Sequence, residues 1–332
     1  MKTETSLKPY NTFGIDAQAR QVIIVEHKEE LDRILPLQRP YYILGGGSNI
    51  VVHGNYPGTV VVMRNKGIRL LAQEAGIVRV EAQAGEVWDA FVRHCIAHGW
   101  HGAENLSAIP GTVGAAPVQN VGAYGAEAKD IIEEVRATEI ATGRPRTFRN
   151  EECRLAYRSS IFKNELAGQY IITSVVFCLS TQFRPNTGYE AVRKALEARG
   201  LQQPTARQLA DVITEVRWAK LPRPEETGSA GSFFKNPVVC AETYLSLRER
   251  HPDLPAHATD DGGYKISAGW LIEQAGWKGR SLGRAAVWDK QALVLVNAGG
   301  ASGGDILRLA NAIADDVRHK FGITIEKEAI EL

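Results

Sequence analysis

The chain has 332 residues, of which 44% are hydrophobic and 23% charged, and its 39 Lys and Arg against 38 Asp and Glu leave a formal net charge of +1. This length predicts two or three domains, and the composition excludes a disordered or fibrous protein. The balanced charge provides no general attraction to nucleic acid or to an anionic membrane, so a few placed arginines and lysines must bind any acidic ligand.

The N-terminus and the cysteines predict a cytoplasmic protein. The opening MKTETSLKPYNTFG is polar, without the apolar core of a secretory signal, and no apolar run is long enough to span a bilayer. Cys95, Cys153, Cys178 and Cys240 are far apart in the sequence and form no CxxC pair. We therefore expect reduced thiols, and neither a metal site nor a redox motif.

The first half of the chain has the pattern of strands separated by glycine-rich loops. The spacing of Val87, Phe91 and Cys95 predicts a helix over Val87–His98. Strands and helices do not alternate regularly, which indicates an α+β fold and not repeated βαβ units. Apolar or alternating segments predict strands at Gln21–Glu26, Tyr41–Leu44, Thr59–Met63, Ile77–Gln83, Val135–Ile140 and Tyr170–Cys178.

The second half is richer in helical patterns. We predict a helix over Tyr189–Arg199, closed by Gly200, and a second helix that begins at Thr205. The prolines and glycines of LPRPEETGSAGS then indicate a domain boundary. Beyond this boundary the pattern predicts a helix near Ser267–Ala275, a strand at Ala292–Asn297 and an amphipathic helix from about Asp305 to Phe321. The residues of that last helix expected to face inward are Ile306, Leu309, Ile313, Val317 and Phe321.

Two glycine-rich loops are candidate binding surfaces for a phosphorylated cofactor. LGGGSNIVV (44–52) places three glycines after a strand, and IPGTVGAAPVQNVGAYG (109–125) interleaves glycines with small residues. Glycine allows positive φ and close approach to a ligand, so successive N–H groups can point at a pyrophosphate. Neither loop is a P-loop or a GxGxxG fingerprint. The alternative is that the triple glycine only forms a tight turn.

Six motifs in order resemble the UDP-N-acetylenolpyruvoylglucosamine reductase family over nearly the whole chain. They are NTFG (11–14), GGGSN (45–49), the 109–125 loop, YRSSIFK (157–163), GSFFKNP (231–237) and AGWLIEQAG (268–276). The resemblance implies an α+β fold, with an FAD-binding domain of the vanillyl-alcohol-oxidase type built from two α+β subdomains, and a C-terminal α+β substrate-binding domain. The expected domains are 1–66 joined by 323–332, then 67–221 with an extra segment 182–200 typical of one subgroup, and 222–322.

The resemblance implies an NADPH-dependent reduction of UDP-N-acetylglucosamine enolpyruvate to UDP-N-acetylmuramate through non-covalently bound FAD, in peptidoglycan precursor synthesis. Hydride passes from NADPH to FAD and then to the enolpyruvyl double bond. Negative charge then develops beside the substrate carboxylate, and the adjacent carbon needs a proton. NADPH and the nucleotide-sugar are the expected partners, without nucleic acid or membrane, and the expected state is a monomer.

Three residues match the catalytic groups of the family. Arg158 can bind the carboxylate through its planar guanidinium, Ser232 is the expected proton donor, and Glu328 is the expected carboxylate. The alternatives are a surface arginine, a serine that supports a glycine turn, and a solvated acid. Glu326 competes with Glu328, because the residues that follow Glu328 depart from the family pattern.

The remaining candidates are expected to bind substrate or cofactor. The resemblance assigns Tyr189, as a cap, together with Lys220, Asn236 and Gln291 to the substrate, although the last three could be ordinary surface polar residues. Many relatives have hydroxyl residues where this chain has alanines 115 and 116, so backbone N–H groups must replace their contacts. The expected cofactor residues are Gly45, Gly46, Gly47, Ser48, Asn49, Pro110, Gly111, Val113, Gly114, Ala115, Ala116, Gln119, Asn120, Gly122, Tyr124, Gly125 and Arg158.

A metal site and two other functions are weaker interpretations. His94, His98 and His101 are close in sequence, but a zinc site needs three or four ligands and the glutamate of HExxH is missing. One other function is an oxidase of the same cofactor fold with a covalent flavin, although neither glycine loop contains a histidine or cysteine for the attachment. The second is a nucleotide-sugar-binding protein that has lost the chemistry.

Overall fold

The computed structural model of the protein describes residues 2–259 and 262–332, which combine strands and helices as the α+β prediction requires. The strands are β1 (Lys2–Ser6), β2 (Gln18–Val25), β3 (Tyr41–Leu44), β4 (Ile50–Val51), β5 (Tyr56–Met63), β6 (Ile68–Glu74), β7 (Ile77–Gln83), β8 (Gly122–Ala123), β9 (Ala126–Glu127), β10 (Ile132–Glu139), β11 (Pro145–Arg149), β12 (Tyr170–Ser180), β13 (Ser229–Ser232), β14 (Val238–Val239), β15 (Ala256–Ala258), β16 (Tyr264–Ile266), β17 (Ser281–Leu282), β18 (Ala285–Val287), β19 (Val294–Asn297) and β20 (Ile330–Glu331). The helices are α1 (Leu31–Ile34), α2 (Trp88–Ala97), α3 (Ala116–Gln119), α4 (Glu190–Glu197), α5 (Ala206–Lys220), α6 (Ala241–Arg250), α7 (Ala268–Gln274) and α8 (Gly303–Phe321).

The chain folds as two compact units, each built from several stretches of sequence. The first unit contains the residues up to Thr5, then Ala19–Gly46 and Pro57–Trp218. The second contains Ser6–Gln18, Gly47–Tyr56 and Ala219–Leu332. The finer division into three domains stays a prediction. Among the helices of the described ranges, none has both the length and the hydropathy that a membrane crossing requires.

The first unit is organised around two sheets. One has the strand order β1-β2-β5-β3, with β3 and β5 parallel, and the other is antiparallel in the order β11-β10-β12-β7-β6. Strand β7 buries Val78, Val80 and Ala82 on one face, since side chains alternate along a strand, and on the other face it buries Glu81. Helix α2 packs Phe91 and Cys95 into the same core.

The predicted start of helix α2 was wrong by one residue. The helix begins at Trp88, and Val87 precedes it as an extended N-cap residue that is 48% exposed. The apolar face of the helix therefore consists of Trp88, Phe91, Val92 and Cys95, without Val87.

Helices α4 and α5, both predicted as helices, pack on each other within the first unit. Val192 and Leu196 of α4 contact Leu209, Val212 and Ile213 of α5. Gly200 follows α4 with φ 65°, a conformation that favours glycine.

The second unit places its longest helix on a four-stranded sheet. The sheet has the order β13-β19-β18-β17, and α8 packs on it together with α7. A capping box between Ser302 and Asp305 begins α8, and Gly322 ends it with φ 72°. The predicted inward face is confirmed, because its members are all buried: Ile306, Leu309, Ile313, Val317 and Phe321.

Candidate functional site

In the first unit, two glycines of GGGSN pack against the second glycine-rich loop. A Cβ atom on Gly46 would lie 2.9 Å from the Cα of Gly111, and one on Gly45 would overlap the hydroxyl of Thr112. Gly111 has φ 125°. The backbones approach this closely only because the side chains are absent. The two loops therefore meet at this surface through Gly46 and Gly111, which are 65 positions apart in the sequence, from 46 to 111.

The second loop is fixed by backbone hydrogen bonds. The N–H of Val113 donates to the Glu86 carbonyl at 2.9 Å, and that of Gly114 donates to the Ala84 carbonyl at 2.9 Å. The N–H of Ala115 donates to the Thr112 carbonyl at 3.0 Å, and helix α3 follows. These N–H groups are therefore already engaged with the chain. The N–H of Ala116 likewise donates to the Val113 carbonyl, so the expectation that the backbone N–H groups of Ala115 and Ala116 replace hydroxyl contacts to the cofactor is not supported.

Thr112 is a residue that the sequence reasoning missed. Its Oγ1 is buried and has no hydrogen-bond partner within the described residues. A buried polar atom without a partner costs free energy, so such an atom normally has a water or a ligand beside it. Thr112 is the one hydroxyl residue in the stretch 109–119, and this was the available signal. The orphaned hydroxyl and the close glycine backbones fit a cofactor cradle at this loop.

The buried side chain of Asn120 stabilises the second glycine-rich loop through hydrogen bonds. It is fully buried in a left-handed conformation with φ 44°. Its Nδ2 donates to Glu127 Oε2 at 2.9 Å and to the Ala156 carbonyl at 3.1 Å, and its Oδ1 accepts from the Lys129 N–H at 2.9 Å. Burial alone would raise the pKa of Glu127, but the bonds from Lys129 and Asn120 lower it. The Asn120 side chain therefore serves the loop conformation.

Arg158 lies at the tip of a tight turn beside the same loop. Ala156 and Ser159 exchange two backbone hydrogen bonds of 3.1 Å, so that Tyr157 and Arg158 form the turn. Arg158 has φ 52°, a strained conformation for a residue with a side chain, and strain of this kind is concentrated at functional sites. Its Nη2 donates to the Gly122 carbonyl at 3.3 Å. The structure thus brings this predicted arginine to the end of the second glycine-rich loop.

Tyr189 reaches the loop from the extra segment. It is the N-cap residue of α4 and is 46% exposed, with its ring perpendicular to that of Tyr124 at a centroid distance of 5.3 Å. Buried Asn105 holds the segment in place, since its Nδ2 donates to the carbonyls of Tyr124 at 2.8 Å and Asn186 at 3.0 Å. Asn186 in turn donates to the Gly125 carbonyl at 3.1 Å. No local pattern in the sequence indicated Asn105.

In the second unit, the C-terminal segment lies beside the residues that follow Ser232. Ser232 ends strand β13 opposite Val294. The N–H of Glu328 donates to the Phe233 carbonyl at 2.7 Å, and the N–H of Lys235 donates to the Glu326 carbonyl at 2.9 Å. Ser232 and Glu328, two predicted catalytic residues, therefore lie on adjacent backbone segments, although 96 positions separate 232 from 328 in the sequence.

The two competing glutamates have different surroundings. The Glu326 carboxylate forms an ion pair with Lys235 Nζ at 2.9 Å, and its side chain is 72% exposed. The hydrogen bond from Lys235 lowers the pKa of Glu326. Glu328 is partly buried, and its backbone is bonded directly next to Ser232. The two glutamates thus differ: Glu326 is an exposed, ion-paired carboxylate, and Glu328 is a partly buried residue on the segment that pairs with Phe233.

The second half of GGGSN is attached to this C-terminal segment. Asn49 Nδ2 donates to the Glu328 carbonyl at 3.2 Å, and the Ile330 N–H donates to the Asn49 carbonyl at 3.0 Å. Gly47 has φ 65°, and its carbonyl accepts from the Thr12 N–H at 3.2 Å. Ser48 lies between them and is partly buried. Strand β4, which follows, pairs with β20 in parallel.

The predicted substrate residues of the second unit are spread over several elements. Lys220 is exposed at the end of α5, and its carbonyl accepts from Trp288 Nε1 at 3.0 Å. Asn236 Oδ1 accepts from the Ala268 N–H at 3.0 Å at the start of α7. Gln291 Oε1 accepts from the Leu293 N–H at 3.3 Å, before β19. Two of these three side chains thus already have a local structural role.

The histidines of α2 stack on each other. The rings of His94 and His98 are 4.1 Å apart at their centroids, and both contact Trp100. Within the described ranges, no group of three or more His, Cys, Asp or Glu side chains is arranged to hold a metal ion.

Comparisons with known proteins assign the two parts of the chain. A family model described as an FAD binding domain matches residues 19–149. A second, described as the UDP-N-acetylenolpyruvoylglucosamine reductase C-terminal domain, matches residues 223–331. The crystal structure of UDP-N-acetylenolpyruvylglucosamine reductase from Thermus caldophilus superposes with a TM-score of 0.69 at 26% identity, covering 100% of this chain and 99% of that one.

Full-length relatives carry the same name. The UDP-N-acetylenolpyruvoylglucosamine reductase of Neisseria gonorrhoeae is 49% identical, and the match covers 99% of this chain and 96% of the relative. That of Chromobacterium violaceum is 46% identical over 100% of this chain and 98% of the relative. The predicted FAD cofactor and oxidoreductase class are confirmed, and the chain belongs to the UDP-N-acetylenolpyruvoylglucosamine reductase family.

Proposed function

We propose that the protein reduces UDP-N-acetylglucosamine enolpyruvate to UDP-N-acetylmuramate, with NADPH as the electron donor, in the synthesis of peptidoglycan precursors. The observation that supports this proposal is the backbone pairing of the segment after Ser232 with the segment that contains Glu328, which brings these two stretches of the chain side by side. Bound FAD supplies the two-electron transfer between the nicotinamide and the enolpyruvyl double bond. Every other step depends on side chains of this chain.

Arg158 binds and orients the carboxylate of the substrate. Its guanidinium is planar and always charged, and it can donate two parallel hydrogen bonds to a carboxylate. The same charge opposes the negative charge that develops on the carbon next to that carboxylate. The strained turn at Arg158 supports this role, because it presents the side chain at the end of the glycine-rich loop.

Ser232 holds the proton that the substrate carbon receives. A hydroxyl is a weak acid in water, but a neighbouring carbanion is a strong base, so the transfer needs only modest assistance. Gly231, with φ 66°, and the end of β13 hold Ser232 in a defined position. Glu328 lies on the adjacent segment, where a carboxyl group can orient the substrate carboxylate or share a proton with it.

The glycine-rich surface of the first unit binds FAD. Gly45, Gly46 and Gly111 leave the backbone open for close approach, and the orphaned Thr112 hydroxyl offers a donor to an acceptor atom of the cofactor. Tyr189, attached to the same loop through Tyr124 and Asn105, is the proposed cap of the substrate. Lys220, Asn236 and Gln291 are its proposed contacts to the sugar and the diphosphate.

Substrate-dependent turnover is the direct test of this function. The purified protein should be yellow, and it should oxidise NADPH only when UDP-N-acetylglucosamine enolpyruvate is present. A protein that binds FAD and the nucleotide-sugar but gives no turnover would be a binding protein, and the proposal would fail. Acid precipitation should release the FAD into solution, whereas colour that stays with the pellet would indicate a covalent flavin and favour an oxidase.

A further inference from the structure

The segment that carries Tyr189 has little regular structure of its own. Between the end of β12 at Ser180 and the start of α4 at Glu190, this stretch of the described chain forms neither helix nor strand, and most of its residues are exposed. We call residues 181–189 the cap segment. A segment with few buried groups opens easily unless contacts from elsewhere hold it. The place of Tyr189 therefore depends on what the cap segment contacts.

His101 fixes the beginning of the cap segment. Its N–H donates to the Ser180 carbonyl at 2.7 Å, and its carbonyl accepts from the Ser180 N–H at 2.9 Å. Its ring lies 5.3 Å from that of Phe183, and its Nδ1 is 2.8 Å from Glu104 Oε1. These contacts reach only as far as Phe183, six residues before Tyr189, so they do not determine the position of the Tyr189 ring.

Asn105 connects the far end of the cap segment to the second glycine-rich loop. Its side chain belongs to a residue that is 4% exposed, and its Nδ2 donates to the carbonyls of Tyr124 at 2.8 Å and Asn186 at 3.0 Å. An amide nitrogen carries two hydrogens, and here each is given to a different loop. A buried side chain that only filled space would not need these donors, so the amide serves to hold the two loops together.

The same connection relates two tyrosine rings. Tyr189 follows Asn186 by three residues, and its ring is perpendicular to that of Tyr124 at a centroid distance of 5.3 Å. The Asn186 side chain adds two bonds, since its Nδ2 donates to the Gly125 carbonyl at 3.1 Å and its Oδ1 accepts from the Gly188 N–H at 3.3 Å. A displacement of about 1 Å at a group that positions a substrate can cost about 100-fold in activity. Loss of the Asn105 bonds should therefore be felt at Tyr189.

We propose that Asn105 is a positioning residue for the substrate: its amide holds the cap segment against the second glycine-rich loop and so places Tyr189 for the nucleotide-sugar. This inference rests on the proposed function, which makes Tyr189 the cap. Asn105 acts through the carbonyls of Tyr124 and Asn186. Its loss should therefore weaken binding of the nucleotide-sugar and loosen the cap segment.

The test compares Asn105→Asp with Gln202→Glu in the FAD-loaded enzyme. Asp has the shape of Asn, but its carboxylate has no hydrogen to donate. Gln202 is exposed between α4 and α5, so its variant controls for the change of an amide to a carboxylate. One measurement is the dissociation constant of UDP-N-acetylglucosamine enolpyruvate, from the change it causes in the flavin absorbance. The other is backbone hydrogen exchange of the cap segment, by mass spectrometry without substrate.

At pH 8, Asn105→Asp should weaken binding of the nucleotide-sugar by about 10- to 100-fold and speed exchange in the cap segment about tenfold, whereas Gln202→Glu should change neither. At pH 6 the loss of affinity should shrink. Burial raises the pKa of the introduced carboxyl group, and its protonated form can donate one of the two lost hydrogen bonds. Because His101 and Glu104 lie close by in both proteins, each dissociation constant is divided by that of the wild type at the same pH.

Three outcomes overturn the inference. Asn105→Asp may not match Gln202→Glu in affinity, nor may its exchange rise while its affinity stays that of the wild type. A loss of affinity that is the same at pH 8 and pH 6 would indicate a general structural defect. If Asn105→Asp does not retain FAD, Asn105→Leu, which fills a similar volume without donors, takes its place in both measurements. Failure of both variants to fold would make Asn105 a structural residue and contradict the proposal.

Tyr189→Ala, measured beside these variants, separates this inference from the proposed function. If Tyr189→Ala weakens binding of the nucleotide-sugar and Asn105→Asp does not, only the role of Asn105 fails. If Tyr189→Ala binds the nucleotide-sugar as the wild type does, the proposed cap is wrong and the inference fails with it. If the wild-type enzyme does not bind the nucleotide-sugar, the proposed function itself fails.

Discussion

Backbone conformation at single residues positions the groups that are proposed to act in the reaction. Arg158 adopts a left-handed conformation at the tip of a two-residue turn, and Gly231 adopts one immediately before Ser232. For Arg158 the conformation costs free energy, because its Cβ is crowded by the backbone, whereas glycine adopts it freely. Each side chain is thus fixed by the conformation of the turn at its base.

Ser232→Ala should separate the two half-reactions. Loss of the hydroxyl removes the proposed proton donor but leaves the nicotinamide reaction untouched. We expect flavin reduction by NADPH at the wild-type rate, and flavin reoxidation by the enolpyruvyl nucleotide slower by about 100- to 10,000-fold. Stopped-flow absorbance of the flavin measures both steps. Equal slowing of both would exclude Ser232 from proton transfer.

Substitution of the two C-terminal glutamates should distinguish their roles. Glu328→Gln is expected to slow flavin reoxidation by about 100-fold or more, since its carboxyl group belongs to the segment bonded beside Ser232. Glu326→Gln should stay near the wild-type rate, because its carboxylate is exposed and pairs with Lys235. The same stopped-flow measurement applies, and the reverse ranking would transfer the role to Glu326.

At the scale of elements, hydrogen bonds to one buried carboxylate connect four strands of the antiparallel sheet. Glu81 on β7 is 5% exposed. It accepts from Arg69 of β6 at 2.7 Å, from Arg136 of β10 at 2.8 Å and from Ser174 of β12 at 2.7 Å. Burial alone would raise the pKa of Glu81, but these three partners together lower it below its usual value. This cluster supports the sheet on which the second glycine-rich loop is anchored.

Glu81→Gln should therefore destabilise the protein in a pH-dependent way. Because the folded-state pKa lies below the unfolded one, the stabilisation is fully present above the unfolded value of about 4.3 and is lost as the pH falls through the folded value. We expect a loss of about 2–3 kcal/mol at pH 7. Urea denaturation at pH 7 and at pH 4 measures the difference in the free energy of unfolding between the wild type and Glu81→Gln. This difference should be smaller at pH 4.

Glu74→Gln is the matched control for this substitution. Glu74 lies on β6 of the same sheet and is exposed, so its loss should change the urea midpoint little at either pH. A loss of stability for Glu81→Gln that is the same at pH 7 and pH 4 would contradict the electrostatic explanation.

At the scale of the whole molecule, the cofactor should contribute to stability. A ligand that binds only the folded state stabilises it by about 2.7 kcal/mol when its free concentration is 100 times the dissociation constant. The apoprotein should therefore unfold at a lower temperature, and added FAD should restore the wild-type value in a thermal scan. Thr112→Val should reduce this gain, because it removes the orphaned hydroxyl and keeps the side-chain shape. A melting temperature that does not respond to FAD would contradict the assigned cradle.

Local signals in the sequence were sufficient for several of the regular elements and for the family. The strands Tyr41–Leu44 and Ile77–Gln83 were predicted with their observed bounds, and the residues of α8 that were predicted to face inward are all buried. Periodicity reports burial of one face, and helix caps are encoded by neighbouring residues, so both can be read locally. The short strand β20 and the edge strand β6 were missed, because two residues carry no period and an exposed edge has little apolar contrast.

By itself, the sequence determined the α+β class, the two glycine-rich loops and the choice of Arg158, Ser232 and Glu328 as candidates. Only the tertiary structure decided which loops meet, and that Asn105 connects the segment before Tyr189 to the second glycine-rich loop through hydrogen bonds. It also decided that the Glu328 backbone is bonded to Phe233, next to Ser232, while Glu326 pairs with Lys235. That the Thr112 hydroxyl is buried without a partner in the described residues became visible only there, since an unsatisfied buried polar atom is a property of packing. The physical reason is that each of these features joins residues far apart in the chain, and no local pattern records such a contact.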